Sequence, residues 1–204
     1  TRPGHRPRII DRVGEQETFC AAPASYIVET YFVLRLVIAG GALLLPPALL
    51  LWAATDPAVP MADSLSAFYY TPARGLFVGT LVAIGVALVA YRGYTRGENR
   101  LLNAAGALAV VVALVPTRDP AAAGLDTANI VHAVAAAAFF VLAALSIFFY
   151  GQETVGAIRD PEPRRRYRGI YRLLIVLVLA RPAAAIVLAG WASSPAALFA
   201  VEWA

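Results

Sequence analysis

Residues 128–150 read ANIVHAVAAAAFFVLAALSIFFY, a run without one Asp, Glu, Lys or Arg. A helix over this run rises about 34 Å, enough to cross a hydrocarbon core of about 30 Å. Its apolar residues cover every face instead of one stripe, the pattern of a segment surrounded by lipid and by other helices. Four further runs share that character, at 31–52, 73–91, 101–115 and 171–190. The run at 101–115 is the shortest; it ends before Pro116 and gains length only by extending back to Arg100. None of the five alternates with period two, so a barrel is excluded. The sequence predicts an all-α fold, a polytopic transmembrane helix bundle with five complete spans. A last apolar run, from Pro195 to Ala204, is too short to cross. Taken with the first residue, Thr1 instead of Met, it is expected to open a sixth helix in a chain trimmed at both ends. The alternative is a short interfacial stub carrying Trp203. Residues 1–30 are then an N-terminal arm and 31–204 the bundle, with no internal repeat and no soluble domain.

Composition agrees with the runs. The chain is 60% apolar and 15% charged, with mean hydropathy +0.67, whereas soluble domains lie near 45–50% and about 25%. All 17 basic residues are Arg. Without Lys there is no retinal Schiff base, no aldolase-type amine and no Walker lysine. A lone cysteine, Cys20, excludes a disulfide framework and any cysteine-rich metal or iron–sulfur site. The two histidines are His5 in the arm and His132 in the run at 128–150. They cannot supply a bis-His haem inside a bundle, and one intramembrane histidine without a second ligand makes a metal site unexpected. No cofactor is expected.

The arginines set the expected orientation. Thirteen lie in the arm (Arg2, Arg6, Arg8, Arg12), between the second and third runs (Arg92, Arg96, Arg100) and between the fourth and fifth (Arg159, Arg164, Arg165, Arg166, Arg168, Arg172). Only Arg74 and Arg118 fall on the other side. This positive-inside bias places the N-terminus in the cytoplasm and the loop at 53–72 outside. Arg35, one turn inside the first run, can snorkel to the cytoplasmic headgroups. The basic stretch at 163–168 is read as a topology determinant touching anionic lipid, not as a nucleic-acid patch.

Polar residues collect on the expected outer side. Before the second run stand Ser64, Ser66, Tyr69, Tyr70, Thr71 and Pro72, with Arg74 just inside it. After the third come Thr117, Arg118 and Asp119; the fourth opens with Asp126, Asn129 and His132. Arg181 lies about 13 Å of helix below the outer end of the fifth run, too deep to snorkel, and should face the bundle. Pro182 beside it loosens the helix and frees a carbonyl. Arg181, His132 and Glu202 could form a polar pocket open to the outer leaflet, with Arg74, Tyr70 and Asn129 as further ligand contacts. Each residue also has a plainer reading. Arg74 is a headgroup anchor; His132 is an inter-helix hydrogen bonder, or a general base. Ser64 and Ser66 cap a short element, and Tyr69 and Tyr70 belong to an aromatic belt. Pro46-Pro47 is read as a kink, Gly40-Gly41 as a close helix contact, and Asn103 as a bond across to a neighbour.

The order Ser64-Leu-Ser-Ala-Phe-Tyr-Tyr-Thr-Pro-Ala-Arg74, with Phe77 and Gly79, then Asn103-Ala-Ala-Gly106, His132 and Glu202-Trp203, resembles the FRAG/DRAM/SFK family of six-span membrane proteins. Leu34-Arg35-Leu-Val-Ile-Ala-Gly-Gly, followed by a later Leu-Pro, is similar to uncharacterised bacterial relatives in that family. The resemblance runs from about Leu34 to the C-terminus and omits the arm. It implies membrane lipid handling without naming a reaction. The all-Arg, Ala-rich composition points to a high-GC bacterium, hence an inner membrane.

Three functions are open on these residues. The first is a non-catalytic protein that binds or modulates lipid through the outer polar pocket, with Arg74 and Arg181 as phosphate or carboxylate partners. The second is an accessory subunit of a larger membrane complex, packed through Gly75, Gly79, Gly85, Ala104, Ala105, Gly106, Ala133 and Ala135 to Ala138, with the arm as docking element. The third is an intramembrane lipid hydrolase or transferase. There His132 is the base, Glu202 or Asp119 its orienter, and Ser64 or Ser66 the nucleophile or water-positioner.

Overall fold

The structure, a computed structural model, describes residues 9–62, 64–93, 95–117, 127–156 and 160–189, with backbone alone at 9–25, 152–154, 181–182 and 184–189. Among these residues are five helices and no strand: α1 Ile9–Thr55, α2 Arg74–Ala90, α3 Arg96–Leu114, α4 Thr127–Gly156 and α5 Pro161–Ala189. A 3-10 turn, Ser66–Tyr70, precedes α2. The all-α expectation holds. Each helix packs on its successor, α1 on α2, α2 on α3, α3 on α4 and α4 on α5.

Among the described residues two helices are long and apolar enough to cross a membrane: the Tyr26–Thr55 part of α1, with 30 residues, and Thr127–Gly151 of α4, with 25. α2 is apolar, but its 17 residues rise only about 26 Å. The five expected spans are therefore met as five helices, of which two pass that test among the described residues. α3 and α5 begin in charged sequence, which the sequence reading assigned to loops. Thr95 caps α3 by accepting the Glu98 N–H at 3.1 Å, and Glu98 stands three residues on, as in a capping box, so α3 starts at Arg96 instead of Leu101. Pro161 occupies the first position of α5 and Glu162 its first turn, both favourable at a helix start. The basic stretch is thus helical, and its arginines at 164–166, 168 and 172 are exposed.

α1 has 47 residues, about 70 Å of helix, and the backbone passes from the N-terminal arm into the first span without a break. It also continues through Pro46-Pro47, where Leu45 and Leu49 join the core on either side. Side-chain packing there holds the helix across two missing N–H donors. α1 ends where Asp56 precedes Pro57. The Asp56 carboxylate accepts the Ala58 N–H at 2.9 Å and the Trp52 Nε1–H at 3.1 Å, and the Val59 N–H closes the turn on Asp56 O at 3.0 Å.

Many large apolar side chains of α1 and α4 face outward, while alanines of α3 and α4 are buried. Leu43 is 72% exposed and Val134 64%, whereas Ala105, Ala109, Ala113, Ala135 and Ala144 are buried. The contacts of α3 with its neighbours thus run through small residues. α2 and α3 touch backbone to backbone at Gly85 and Gly106: a Cβ on Gly85 would lie 2.7 Å from Gly106 O. Gly41 likewise lies against Ile84 of α2, whereas Gly40, Gly75 and Gly79 have nothing within 4 Å of an added Cβ. The small residues expected to pack thus divide between a contact face and an open one. Asn103 is exposed and has no partner among the described residues, so the bond expected from it to a neighbour is not made; the buried positions of α3 are Ala105, Gly106, Ala109 and Ala113, and Asn103 lies off that face.

Candidate functional site

The polar residues preceding α2 are placed by a core cluster of Leu45, Leu49, Val59, Ala67, Phe68, Ala73 and Phe77. Phe68, fully buried, anchors the 3-10 turn in the angle between α1 and α2. Thr71 precedes Pro72 and is held extended, at φ −112° and ψ 167°, as a pre-proline residue prefers. Its hydroxyl donates to Phe68 O at 2.9 Å and accepts from the Ala73 N–H at 3.2 Å, turning the chain into α2. Ser64 Oγ accepts from the Ala67 N–H at 3.2 Å, the capping role expected of it.

Ser66 goes elsewhere. Its Oγ lies 3.1 Å from Nε2 of His132, one turn into α4, while His132 Nδ1 lies 2.7 Å from the carbonyl oxygen of Val115 at the end of α3. A carbonyl only accepts, so Nδ1 carries the proton and, in the neutral ring, Nε2 accepts the Ser66 O–H. The ring is buried, 6% exposed. Tyr70 adds a parallel tie, its phenol donating to Thr117 O at 2.7 Å. Together these bonds clasp the 3-10 turn, the end of α3 and the start of α4, three segments distant in sequence.

The geometry pairs a serine hydroxyl with an oriented imidazole, as general-base catalysis needs. The N–H groups of the two residues after Ser66 are engaged, however. The Ala67 N–H, next after Ser66, bonds both Ser64 O and Ser64 Oγ, and the Phe68 N–H bonds Leu65 O. What the arrangement does chemically is satisfy a buried histidine and fix its tautomer.

Arg74 stands at the first position of α2, exposed. Its guanidinium lies 4.0 Å from the centroid of the Tyr69 ring and donates through Nη2 to the Tyr69 hydroxyl at 2.5 Å. No other partner of Arg74 stands among the described residues. A guanidinium has five N–H donors in a fixed fork, so most face outward, beside an α2 N-terminus that has no side-chain cap and carries partial positive charge. Tyr70 is 41% exposed next to it, and the two phenols meet edge to face at 5.4 Å. Asn129 is half-buried in the first turn of α4, one turn before His132.

Of the residues expected to share a pocket, the structure brings together Ser66 with His132 and places Arg74 and Tyr70 on the same 3-10 turn and helix start. Arg181 lies on α5, but its side chain, like Glu202, Arg118, Asp119 and Asp126, is outside the described residues. Among the described residues no three metal-ligating side chains gather.

At the other end of α2, Arg35 of α1 donates from Nε and Nη2 to the Tyr91 hydroxyl at 3.2 and 2.9 Å, and Tyr31 meets the Tyr91 ring edge to face at 5.4 Å. The sequence offered no signal for this pair, 56 positions apart. The Val115 carbonyl was equally hidden, being backbone. The Thr95-x-x-Glu98 spacing is a local signal from which the start of α3 can be read. Compared with protein-family models, with curated proteins and with solved structures, the chain matches none.

Proposed function

We propose that the chain is a polytopic protein of a bacterial inner membrane that binds a lipid headgroup non-catalytically at the Arg74 end of the bundle. The reading takes the five helices as spans, with a sixth opening near the C-terminus, the N-terminus in the cytoplasm and Arg74 at the outer leaflet. It takes the resemblance to the FRAG/DRAM/SFK family as the reason to look for lipid. The observation that carries it is the Arg74 guanidinium, stacked on Tyr69, using one donor on that phenol and presenting the rest beside an uncapped helix start. A phosphate or carboxylate there meets the guanidinium and the Tyr69 hydroxyl together, beside a helix start of partial positive charge. The apolar outer surface of the helices supports a lipid setting, since side chains such as Leu43 and Val134 face out. His132 is a positioning residue in this reading, holding the Tyr70 turn against α4.

The test is lipid co-purification. Wild type and the Arg74→Ala, Arg181→Ala double variant are purified from the same membranes in mild detergent, and bound phospholipid is counted per chain. The double variant should lose bound phospholipid; unchanged lipid content would sink the proposal. Labelling with a serine-reactive fluorophosphonate should leave Ser66 unmodified, and modification of Ser66 that disappears in His132→Ala would replace binding with hydrolysis.

A further inference from the structure

Where α1 and the end of α2 diverge beyond Arg35 and Tyr91 lies a cleft of about 320 Å³, lined by Tyr26, Ile27, Tyr31, Leu34, Ala90 and Arg92. We propose that this cleft binds one anionic phospholipid, its phosphate on Arg92 and the upper part of an acyl chain along Ile27, Leu34 and Ala90. The site rests on the membrane reading of the helices and is independent of the Arg74 site at the opposite end of α2.

Four observations converge on that occupant. First, the floor of the cleft is formed by the apolar side chains of Ile27, Leu34 and Ala90, and the Thr30 hydroxyl on its wall donates to Tyr26 O at 2.8 Å. Second, the wall is braced: the edge contact of Tyr31 on Tyr91 and the two Arg35 bonds to the Tyr91 hydroxyl fix the angle between α1 and α2. Third, Arg92 at the rim is exposed and has no partner among the described residues, whereas Arg35 is engaged by Tyr91. Fourth, the lining residues of α1 are the first turns of the segment Tyr26–Thr55, which is apolar and long enough to span. In a bilayer they stand at headgroup level, where Tyr side chains and a guanidinium are favoured. An apolar floor with a cationic rim at that depth is complementary to a chain with a phosphate above it. A zwitterionic lipid satisfies the floor equally but carries an ammonium that Arg92 repels.

The experiment is native mass spectrometry on the full chain in detergent, titrated with phosphatidylglycerol or with phosphatidylcholine of identical chains. Wild type should hold one phosphatidylglycerol in preference to phosphatidylcholine. Arg92→Ala should weaken phosphatidylglycerol about fivefold, the worth of one basic residue at a membrane surface, and leave phosphatidylcholine unchanged. Ala90→Phe changes an exposed residue and fills the cleft; it should weaken both lipids about tenfold, as a few methylenes of lost burial require. Arg74→Ala should leave this adduct intact, which separates it from the headgroup site at the other end. Wild-type affinity in Arg92→Ala overturns the proposal. So does a loss in Arg92→Ala without one in Ala90→Phe, the signature of surface charge alone. Displacement by equimolar glycerol phosphate, a headgroup without chains, overturns the lipid assignment. Failure of the chain to float with vesicles would remove the membrane reading itself, a distinct outcome from binding that ignores both variants.

Discussion

Both ends of α2 carry an arginine set on a tyrosine, and the two pairs are built differently. Arg74 and Tyr69 are five residues apart, both within the 3-10 turn and first turn of α2, and the guanidinium sits close over the ring, 4.0 Å from its centroid. Arg35 and Tyr91 come from α1 and from the residue after α2, and the guanidinium lies farther from the ring, at 5.6 Å, hydrogen-bonding the hydroxyl twice. The first pair holds nothing together except itself, so its cation remains on offer. The second is a brace between helices, and its cation is occupied. Residue type is the same; chain connectivity decides whether the arginine presents charge or holds architecture.

The largest expected effect tests what supports the Arg74 end. His132→Ala removes the bonds to Val115 O and Ser66, leaves a half-buried carbonyl without its partner and empties the space of a buried ring. It should lower stability by about 3 kcal/mol, read as the midpoint of denaturant unfolding in detergent micelles. Ser66→Ala, which leaves the Val115 bond in place, should cost about 1 kcal/mol. If the two variants are equal, the clasp does not centre on the histidine.

The comparison also presumes that α2 connects its two ends as one rigid rod against α3. Gly85→Ala should destabilise by about 2 kcal/mol, because the new Cβ meets Gly106 O and Val110, an overpacking cost. Gly79→Ala meets nothing within 4 Å and should be neutral or slightly stabilising through helix propensity. Equal effects at the two glycines would show that α2 packs through its other face.

A smaller difference separates the two tyrosines. Tyr91→Phe keeps the ring against Tyr31 but removes the acceptor for Arg35, and should cost about 1 kcal/mol. Tyr69→Phe, at an exposed local pair, should stay within about 0.5 kcal/mol. A double-mutant cycle of Arg35→Ala with Tyr91→Phe should return a coupling energy, and a null coupling would remove the brace.

The smallest effect is in pH. The Asp56 carboxyl is held below its ordinary value of 3.8, chiefly by the Ala58 N–H and then by the Trp52 side chain. A depressed carboxyl stabilises the fold above its unfolded value, and that contribution is lost as pH falls through the folded value. Between pH 5 and 7 the turn after α1 should therefore be insensitive to acid, and below about pH 4 it should loosen. In Asp56→Asn the Trp52 indole fluorescence should lose its acid dependence. An unchanged acid profile in that variant would assign the titration elsewhere.

Much of the architecture was legible because it follows from local patterns. The uninterrupted apolar run at 128–150 gave α4, and Asp56-Pro57 marks where α1 stops. Helix starts were less legible. The arginine-rich stretches before α3 and α5 read as loop, yet the Thr95 cap and Pro161 begin helices inside them, since Arg is a good helix former when the first turn is capped. At the site, Ser66, Tyr70, Arg74 and His132 stood out as polar residues beside apolar runs. Their division of labour did not. His132 takes its partner from a backbone carbonyl that no side-chain pattern marks, and Ser64 and Ser66, two residues apart and alike in sequence, turn to a local N–H and to a distant imidazole.

By itself the sequence determined the class of the molecule and the helices that make it, because apolar length and the absence of charge act within each segment. Tertiary structure decided which small residues touch, which arginine is braced and which is open, and that His132 is tied at both nitrogens. Those outcomes depend on how antiparallel helices meet: Gly85 approaches Gly106, and Arg35 reaches Tyr91, only once α2 lies between α1 and α3.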